Sequence, residues 1–420
     1  MPKKVTTKED IDACKRILNS FSTNLEGLRE FISNLEPVVT KYDEKTLRKI
    51  RLATRKMERV IGKEGEIEGK KSKKIVIKFT GKMPEETIER KIEQLTNILR
   101  ELPRLPAVQA ELLYKSSFVM LVSYFDFLIS DIIHFYYKLH PEGLSGKDLS
   151  ITLNELKICS DHEEAIDVIL NKKVDSILYG NLESQKIFFK NELQIDIRER
   201  VVNWDIINEA VERRNIIVHN DSVVNKRYLR NVALSIINKR RTDIKESERI
   251  GVNQEYFKRV YDEIFIAGIV LMESCWRKWK KEDVEKADDI LLQVIYEALT
   301  REEWSVAERL GLFCKDIKVH NAAMRLMLDI NYCQSLKWQG KKDELIAEMD
   351  KFDVSSLSPK FILALCALKG DKDGFYENLE RAVVTEEMPK QYFDDWPLFR
   401  ELRQDVEYNE RVNKAFIKKD

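Results

Sequence analysis

The chain has 420 residues, of which 43% are hydrophobic and 34% charged, and this composition excludes an intrinsically disordered protein. Lysine plus arginine and aspartate plus glutamate each number 72, so any attraction to a polyanion must come from a local basic patch. The 14 glycines and 9 prolines are few for this length, which predicts few turns, many long helices and an all-α fold.

The six cysteines lie far apart and form no C-x-x-C pair, so neither a zinc site nor a redox motif is predicted. Scattered single cysteines are typical of a reducing compartment. The first ten residues are polar and basic, and they lack the apolar core of a signal peptide. We therefore expect a cytoplasmic protein that uses no metal or other cofactor.

The N-terminal part of the chain is predicted to be helical and highly charged. Apolar residues at helical spacing indicate two helices, near Glu9–Leu35 and Asp43–Ile61, and a third over residues 84–104. Between them, residues 62–74 are rich in Gly, Glu and Lys and are expected to form a loop. A short strand is possible near residues 74–80, although the sequence shows no partner strand for it.

The central part contains the most apolar segment, which is predicted to be a long helix over residues 107–139. Polar residues interrupt its most hydrophobic stretch, 118–137, and this indicates a buried core helix and no membrane span. Shorter helices are expected between residues 145 and 195. Two further helices are predicted over residues 197–219 and 254–281.

The last third of the chain shows helix pairs joined by short polar turns. The turns lie at residues 300–302, 339–341 and 369–371, and their spacing brackets the 34-residue period of tetratricopeptide helix hairpins. The stretches Leu336–Lys341 and Leu363–Asp371 resemble the first helix and turn of such a repeat. We therefore predict a tetratricopeptide-like solenoid, with an ordinary helical bundle as the alternative.

These patterns divide the chain into three predicted regions. An N-terminal charged helical region covers residues 1–104, a central helical domain covers residues 105–282, and the repeat-like region covers residues 285–420. The predicted fold is therefore all-α, a helical bundle followed by an α-hairpin solenoid.

A group of polar residues closes the predicted helix that ends near residue 219. Arg214 is followed directly by Asn215 and then, after three β-branched residues, by His219. Such an R-x4-H spacing is common by chance, so its context decides its value. Here an apolar helix leads into Arg214, and polar Asn220 and Asp221 follow the histidine.

This motif in an all-helical context resembles the HEPN superfamily, whose signature is an arginine, usually followed by a polar residue, and a histidine four to six positions later. The resemblance covers roughly residues 105–280, where the two-helix core of that family matches the helices at 107–139 and 197–219. It implies a metal-independent endoribonuclease of the kind found in toxin–antitoxin, CRISPR and anti-phage systems. It also implies a homodimer, because HEPN nucleases typically pair two motifs across a dimer cleft.

The residue types fit the chemistry of RNA cleavage, in which the 2′-OH attacks the adjacent phosphorus and leaves a 2′,3′-cyclic phosphate. His219 can accept or donate a proton near neutral pH. Arg214 stays charged and binds phosphate oxygens through two N–H groups at once. Asn215 is assigned to hold the phosphate or to orient His219. No step of this chemistry requires a metal.

The spacing constrains how the two catalytic side chains can meet. Five residues on a continuous helix turn through about 500°, which leaves Arg214 and His219 roughly 140° apart. Either the helix breaks before His219, or two copies of the chain combine their motifs. The HEPN resemblance favours the second arrangement, and we predict a homodimer with a composite site.

Five further residues are weaker candidates for substrate contact: Asp126, Arg213, Asn220, Asp221 and Tyr228. Arg213 could equally form a salt bridge, and Tyr228 could pack in the core or stack on a base. A buried Asp126 would need a partner, for which Arg214 is one choice. His219 itself could simply stabilise the C-terminus of its helix through the helix dipole.

Three weaker signals lie outside the motif. The basic runs at residues 70–74 and 239–241 could contact an RNA backbone or could be solvated surface. The stretch Gly65–Ser72 partly resembles a phosphate-binding loop, but no Ser or Thr follows Lys70 directly, and we reject that interpretation.

The sequence therefore predicts a cytoplasmic endoribonuclease that acts as a bacterial toxin or anti-phage defence effector. Its expected partners are RNA, a second copy of the chain, and a protein trigger or inhibitor bound by residues 285–420; no membrane partner is expected. Two alternatives stay open. One is a non-catalytic scaffold that dimerises and binds proteins through the tail, and the other is a nucleotide sensor.

Overall fold

A computed structural model of the protein describes residues 8–61, 65–68, 76–79, 84–102, 108–144, 150–236, 244–353, 357–385 and 388–417. Most of these residues are α-helical, which confirms the predicted all-α class. The strands in the described part of the chain are β1 (Gly65–Glu68) and β2 (Val76–Phe79), which pair antiparallel in a hairpin. Residues 65–68 were assigned to a loop by composition, and that assignment is wrong because they pair with β2. The basic runs at 70–74 and 239–241 lie outside the described residues.

Helix α1 (Lys8–Ile61) is continuous where the sequence predicts two helices. Pro37 lies inside it and cannot donate a backbone hydrogen bond, which explains the predicted break. The packing of the α1 segments before and after Pro37 outweighs the loss of this one backbone hydrogen bond. Buried residues from Cys14 to Ile32 join the main core, while residues near the C-terminal end of α1 pack against α2 (Glu85–Arg100).

The central part contains seven helices among the described residues: α3 (Gln109–Leu139), α4 (Leu153–Ile158), α5 (His162–Leu178), α6 (Leu182–Asn191), α7 (Trp204–His219), α8 (Lys226–Ile236) and α9 (Gln254–Trp279). Helix α3 lies at the centre and packs against α1, α5, α7 and α9. Helix α7 begins seven residues later than predicted because Asn203 caps it, accepting a hydrogen bond from the backbone N–H of Ile206.

The tail consists of helix pairs: α10 (Val284–Thr300) with α11 (Trp304–Asp316), α12 (Ala322–Trp338) with α13 (Lys342–Met349), and α14 (Pro359–Lys369) with α15 (Lys372–Thr385). Each of the three predicted turns lies between the two helices of a pair. Gly340 and Gly370 both have a φ of +72°, a conformation that glycine adopts without a Cβ clash. The short α16 (Lys390–Asp395) and α17 (Tyr408–Ile417) complete the tail.

The largest hydrophobic cluster crosses both boundaries that the sequence suggests. It extends from Cys14 in α1 to Leu328 in α12 and includes buried residues of α10 and α11, whereas a second cluster begins at Ile330. A buried ion pair reinforces the junction, because Arg309 of α11 donates to both carboxylate oxygens of Glu263 in α9 at 2.5 Å. The first tail hairpin therefore shares its core with the central helices.

Helix α3 is long and apolar enough to cross a membrane by length and composition, the one such candidate among the described helices. Its most apolar 18-residue window has a mean hydropathy of 1.6, and half of that window is buried inside the protein. Core helices of soluble proteins meet the same criterion, since they too are apolar along much of their length.

Candidate active site

Helix α7, which carries the R-x4-H motif, is fixed to its neighbours by buried charges. Glu209 accepts hydrogen bonds from Arg213 Nε at 2.7 Å and from the Tyr228 hydroxyl at 2.6 Å, and the Tyr256 hydroxyl also donates to it. The Arg213 guanidinium lies 3.9 Å from the centre of the Tyr256 ring and donates to the Gly251 carbonyl at 2.6 Å. These contacts link α7 to α8 and α9.

Two of the weaker substrate-binding candidates lie in the packing around α7. Tyr228 is 1% exposed, and the side chain of Arg213 is enclosed by the contacts just described. Burial next to Glu209 raises the pKa of Tyr228, which keeps its hydroxyl protonated and donating. Tyr228 is thus used in packing α7, and the Arg213 guanidinium is held by Glu209 and the Gly251 carbonyl. The structure shows a salt bridge for Arg213, which is the alternative to substrate contact.

The side chain of Arg214 projects from a different side of α7 than that of Arg213, and it contacts the long core helix α3. Its Nη2 atom donates to Oδ2 of Asp126 at 2.9 Å, and both side chains are about one quarter exposed. Burial raises the pKa of the Asp126 carboxyl to about 6, although the charge of Arg214 acts against this rise. Arg214 Nε is buried without an acceptor among the described residues. The ion pair thus orients the guanidinium and leaves part of it free.

His219 is the last residue of α7 and is exposed. The chain turns away directly after it, because the backbone N–H groups of Asn220 and Ser222 both bond to the carbonyl of Ile216, and Asp221 has a positive φ of 48°. Within the described part of the chain, the imidazole of His219 makes no hydrogen bond. This position is open to a substrate, and it also suits a histidine that stabilises the helix end.

Helix α7 does not break before His219, so the first of the two geometric alternatives is excluded. Arg214 and His219 therefore point roughly 140° apart in one copy of the chain. Asn215 lies four residues before His219 and shares its face of the helix, which places an amide next to the imidazole. Within one copy, Asn215 and His219 lie on the same side of α7. Arg214 and His219 project in different directions and cannot readily contact the same phosphate.

The two polar residues after the motif shape the turn that ends α7. The side-chain amide of Asn220 donates to the carbonyl of Val223 at 2.6 Å. Asp221 is exposed and accepts two hydrogen bonds from Arg249, at 3.1 and 2.5 Å. The side chains of Asn220 and Asp221 are both exposed, and each forms hydrogen bonds with another residue of the same chain.

Exposed apolar residues lie on both helices that carry the Arg214–Asp126 pair. Along α3, Met120 and Phe127 are 42% and 56% exposed, and Phe127 directly follows Asp126 in the chain. On α7, Val218 is 51% exposed and directly precedes His219. Exposed apolar residues around polar groups are typical of surfaces that contact other proteins. We call Met120, Phe127 and Val218 the apolar face.

Two features of the site were missed at the sequence level. The first is Glu209, which lies four residues before Arg213; a Glu-to-Arg spacing of four on a predicted helix was a usable signal. The second is the apolar face, since only the packing of α3 shows which of its many apolar residues remain outside.

Comparisons with protein-family models, with curated proteins and with solved structures found no match for this chain. In the described ranges, no group of three or more His, Cys, Asp or Glu side chains is arranged to hold a metal ion. The HEPN resemblance therefore depends on the motif and its helical setting.

Proposed function

We propose that the protein is a metal-independent endoribonuclease of the HEPN type that produces 2′,3′-cyclic phosphate ends. One observation carries this proposal: Arg214 is held by Asp126 with donors to spare, and the exposed His219 follows five residues later on the same helix. A cation and a titratable imidazole are the two groups that metal-free RNA cleavage requires.

Each residue has a distinct role in the proposed reaction. At each composite site, His219 of one copy accepts the proton of the 2′-OH as its oxygen attacks phosphorus, and the departing 5′-oxygen takes a proton from water. Arg214 stabilises the negative charge on the phosphorane through the donors that Asp126 does not use. Asp126 is a positioning residue for Arg214, and Asn215 orients the imidazole from the same helix face.

Cleavage of total cellular RNA in EDTA tests this proposal. Wild type should cut and leave cyclic phosphate ends. Arg214→Ala should lose about 10²–10³-fold in rate, which is typical of removing a group that stabilises developing charge. His219→Ala should lose about 10²–10⁴-fold because proton transfer is no longer assisted.

Matched controls use residues of the same types elsewhere on the surface. His162→Ala and Arg381→Ala alter an exposed histidine and an exposed arginine on other helices, and both should cut like wild type. If Arg214→Ala and His219→Ala cut as fast as wild type, the assigned site is wrong. If wild type cuts nothing, the chain needs an activator or is not a nuclease.

We further propose that the tail binds a protein trigger or inhibitor of the nuclease. A cavity of about 530 Å³ lies between α10, α12, α14 and α16, and Tyr296, Phe361, Tyr392 and Trp396 contribute its aromatic walls. Asn331, which is 4% exposed, also lines it and makes no side-chain hydrogen bond within the described residues. An apolar cavity of this size with an unused amide fits an inserted side chain and its backbone. Loss of partner capture by full-length Asn331→Leu is the expected result.

A scaffold without catalytic activity is the second candidate, and the apolar face favours it. Met120, Phe127 and Val218 would support self-association whether or not the motif is catalytic. The two functions differ in the cleavage experiment, because a scaffold dimerises normally after Arg214→Ala and never cuts RNA.

A further inference from the structure

The C-terminal third of α1 has two very different sides. One side is buried: Thr46 is nearly inaccessible, and Ala53, Met57 and Ile61 pack with residues of α2. The other side is exposed and carries five cations: Lys41, Lys45, Arg48, Arg55 and Arg59. We call these five residues the α1 basic face.

The five cations form one continuous row. At 100° per residue they fall within an arc of about 80°, roughly opposite the buried side, and they extend along about 27 Å of helix. No acidic residue lies on this arc, and Leu52 is its one apolar member. Within the described part of the chain none of the five forms an ion pair, whereas Lys56, just outside the arc, is paired with Glu101 at 2.9 Å. The row is therefore a strip of positive charge whose five cations form no ion pair with any described residue.

This strip fits a linear polyanion better than other partners. The chain as a whole has a formal net charge of zero, so a row of unpaired cations is a strong local departure from that balance. A helix that lies on a membrane needs a broad apolar side facing the lipid, and here the apolar side is already buried against α2. A phosphodiester backbone requires only regularly spaced cations.

The α1 basic face is distant from the R-x4-H motif. The Asp43 carboxylate accepts hydrogen bonds from the backbone N–H groups of Gln109 and Ala110, which places this part of α1 at the N-terminal end of α3. Asp126, the partner of Arg214, lies 17 residues further along α3, or about 25 Å away along its axis. RNA at the α1 basic face is thus bound far from the bond that is cut.

We propose that the α1 basic face is a second RNA-binding site, which holds the phosphate backbone of a long strand while the motif acts elsewhere on it. The inference rests on the proposed function for the identity of the polyanion. Binding is sequence-independent, because cations on an exposed helix contact phosphates and not base edges.

The test measures the affinity of full-length protein for a fluorescent 30-nucleotide single-stranded RNA at several salt concentrations. His219→Ala is present throughout, so that no strand is cut. Adding Arg48→Gln, Arg55→Gln and Arg59→Gln should weaken binding at low salt at least about tenfold. The slope of log affinity against log salt should become shallower by about 2, since each lost phosphate contact contributes about 0.7 for single strands.

A charge-matched control carries Lys342→Gln, Lys369→Gln and Arg381→Gln on exposed tail positions. It should keep the affinity and slope of its parent. Equal weakening by both triple variants, or no weakening by the α1 variant, would overturn the proposal. So would a triple variant that loses binding to vesicles with 30% phosphatidylserine while keeping its RNA affinity.

The binding test and the cleavage test can succeed or fail independently of each other. If RNA binding depends on the α1 basic face but the wild-type protein never cuts RNA, the proposed RNA-binding site is supported and the proposed nuclease function is contradicted. If wild type cuts RNA but the α1 triple variant binds RNA as tightly as its parent, the nuclease function is supported and the proposed RNA-binding site is contradicted.

Discussion

Arg214 and Asp126 illustrate how one contact can serve both packing and chemistry. A half-buried carboxylate is costly to ionise, and the guanidinium offsets only part of that cost, so the pKa of Asp126 stays raised at about 6. Near neutral pH the pair is ionised and Arg214 is oriented. At lower pH Asp126 becomes neutral, and Arg214 keeps its charge without a competing anion.

This raised pKa predicts a specific pH dependence of stability. The carboxyl of Asp126 is harder to ionise in the folded protein than in the unfolded chain. Its favourable contribution is therefore complete below about pH 4 and is lost as the pH rises through about 6. Asp126→Asn removes this dependence. The stability of the variant relative to wild type should thus increase by about 2 kcal/mol between pH 4 and pH 7.

Urea unfolding at a series of pH values provides the measurement. The quantity compared is the difference in free energy of unfolding between wild type and Asp126→Asn at each pH, because the other groups titrate equally in both proteins. Parallel profiles for wild type and Asp126→Asn would show that the carboxyl ionises normally, and the account of the Arg214 environment would then be wrong.

At the level of single elements, periodicity predicted helices well and helix ends poorly. The long apolar helix α3 and the three tail turns could be read directly, since apolar spacing and turn residues are local signals. The continuous α1 could not, because the packing that tolerates Pro37 comes from distant segments. At the site, the motif itself is a local signal. The pairing of Arg214 with Asp126 joins residues 88 positions apart, and the sequence offers it only as one choice of partner for a buried acid, a choice that the structure confirms.

Helix α12 offers a test of the proposed tail site. Asn331 lines the tail cavity, and its side-chain amide forms no hydrogen bond with any described residue. Asn331→Leu keeps the volume and removes only the amide that faces the cavity, so the free energy of unfolding should fall by no more than about 0.5 kcal/mol. Capture of a protein partner by the full-length chain should be lost.

The same substitution at the start of α12 is the matched comparison. Asn321 caps the helix by accepting from the backbone N–H of Met324 at 2.8 Å, so Asn321→Leu should lower stability by about 1 kcal/mol. An Asn331→Leu protein destabilised as much as Asn321→Leu, or one that still captures its partner, would show that the amide has a structural role. Full-length protein is required, because α10 and α11 share the main core with the central helices.

At the level of the whole molecule, the main question is how Arg214 and His219 can act on one phosphate. The unbroken α7 keeps them apart within one chain, and the residues of the apolar face lie on α7 and on α3, the helix that holds Arg214. A two-fold symmetric contact through this face would present each motif to its counterpart. We therefore expect a mass in solution of twice the 49.5 kDa of the chain.

Phe127→Glu should convert this dimer to a monomer and abolish cleavage, because a charge would be buried at the centre of the contact. Tyr179→Glu is the control: this aromatic residue, which directly follows α5, is 89% exposed, and its replacement should leave the dimer intact. Sizing by analytical ultracentrifugation at micromolar concentration distinguishes the two. A wild-type mass near 49.5 kDa would contradict the composite site directly.

Mixing two inactive variants tests whether the site itself is shared. In an equimolar mixture of Arg214→Ala and His219→Ala chains, about half of the dimers are heterodimers once subunits exchange. Each heterodimer contains one intact Arg214 and one intact His219, on different chains, so cleavage should rise above that of either variant alone while staying below wild type. If each chain carried its own complete site, no chain in the mixture would be intact. Activity would then remain at the level of the separate variants, and the composite site would be wrong even in a stable dimer.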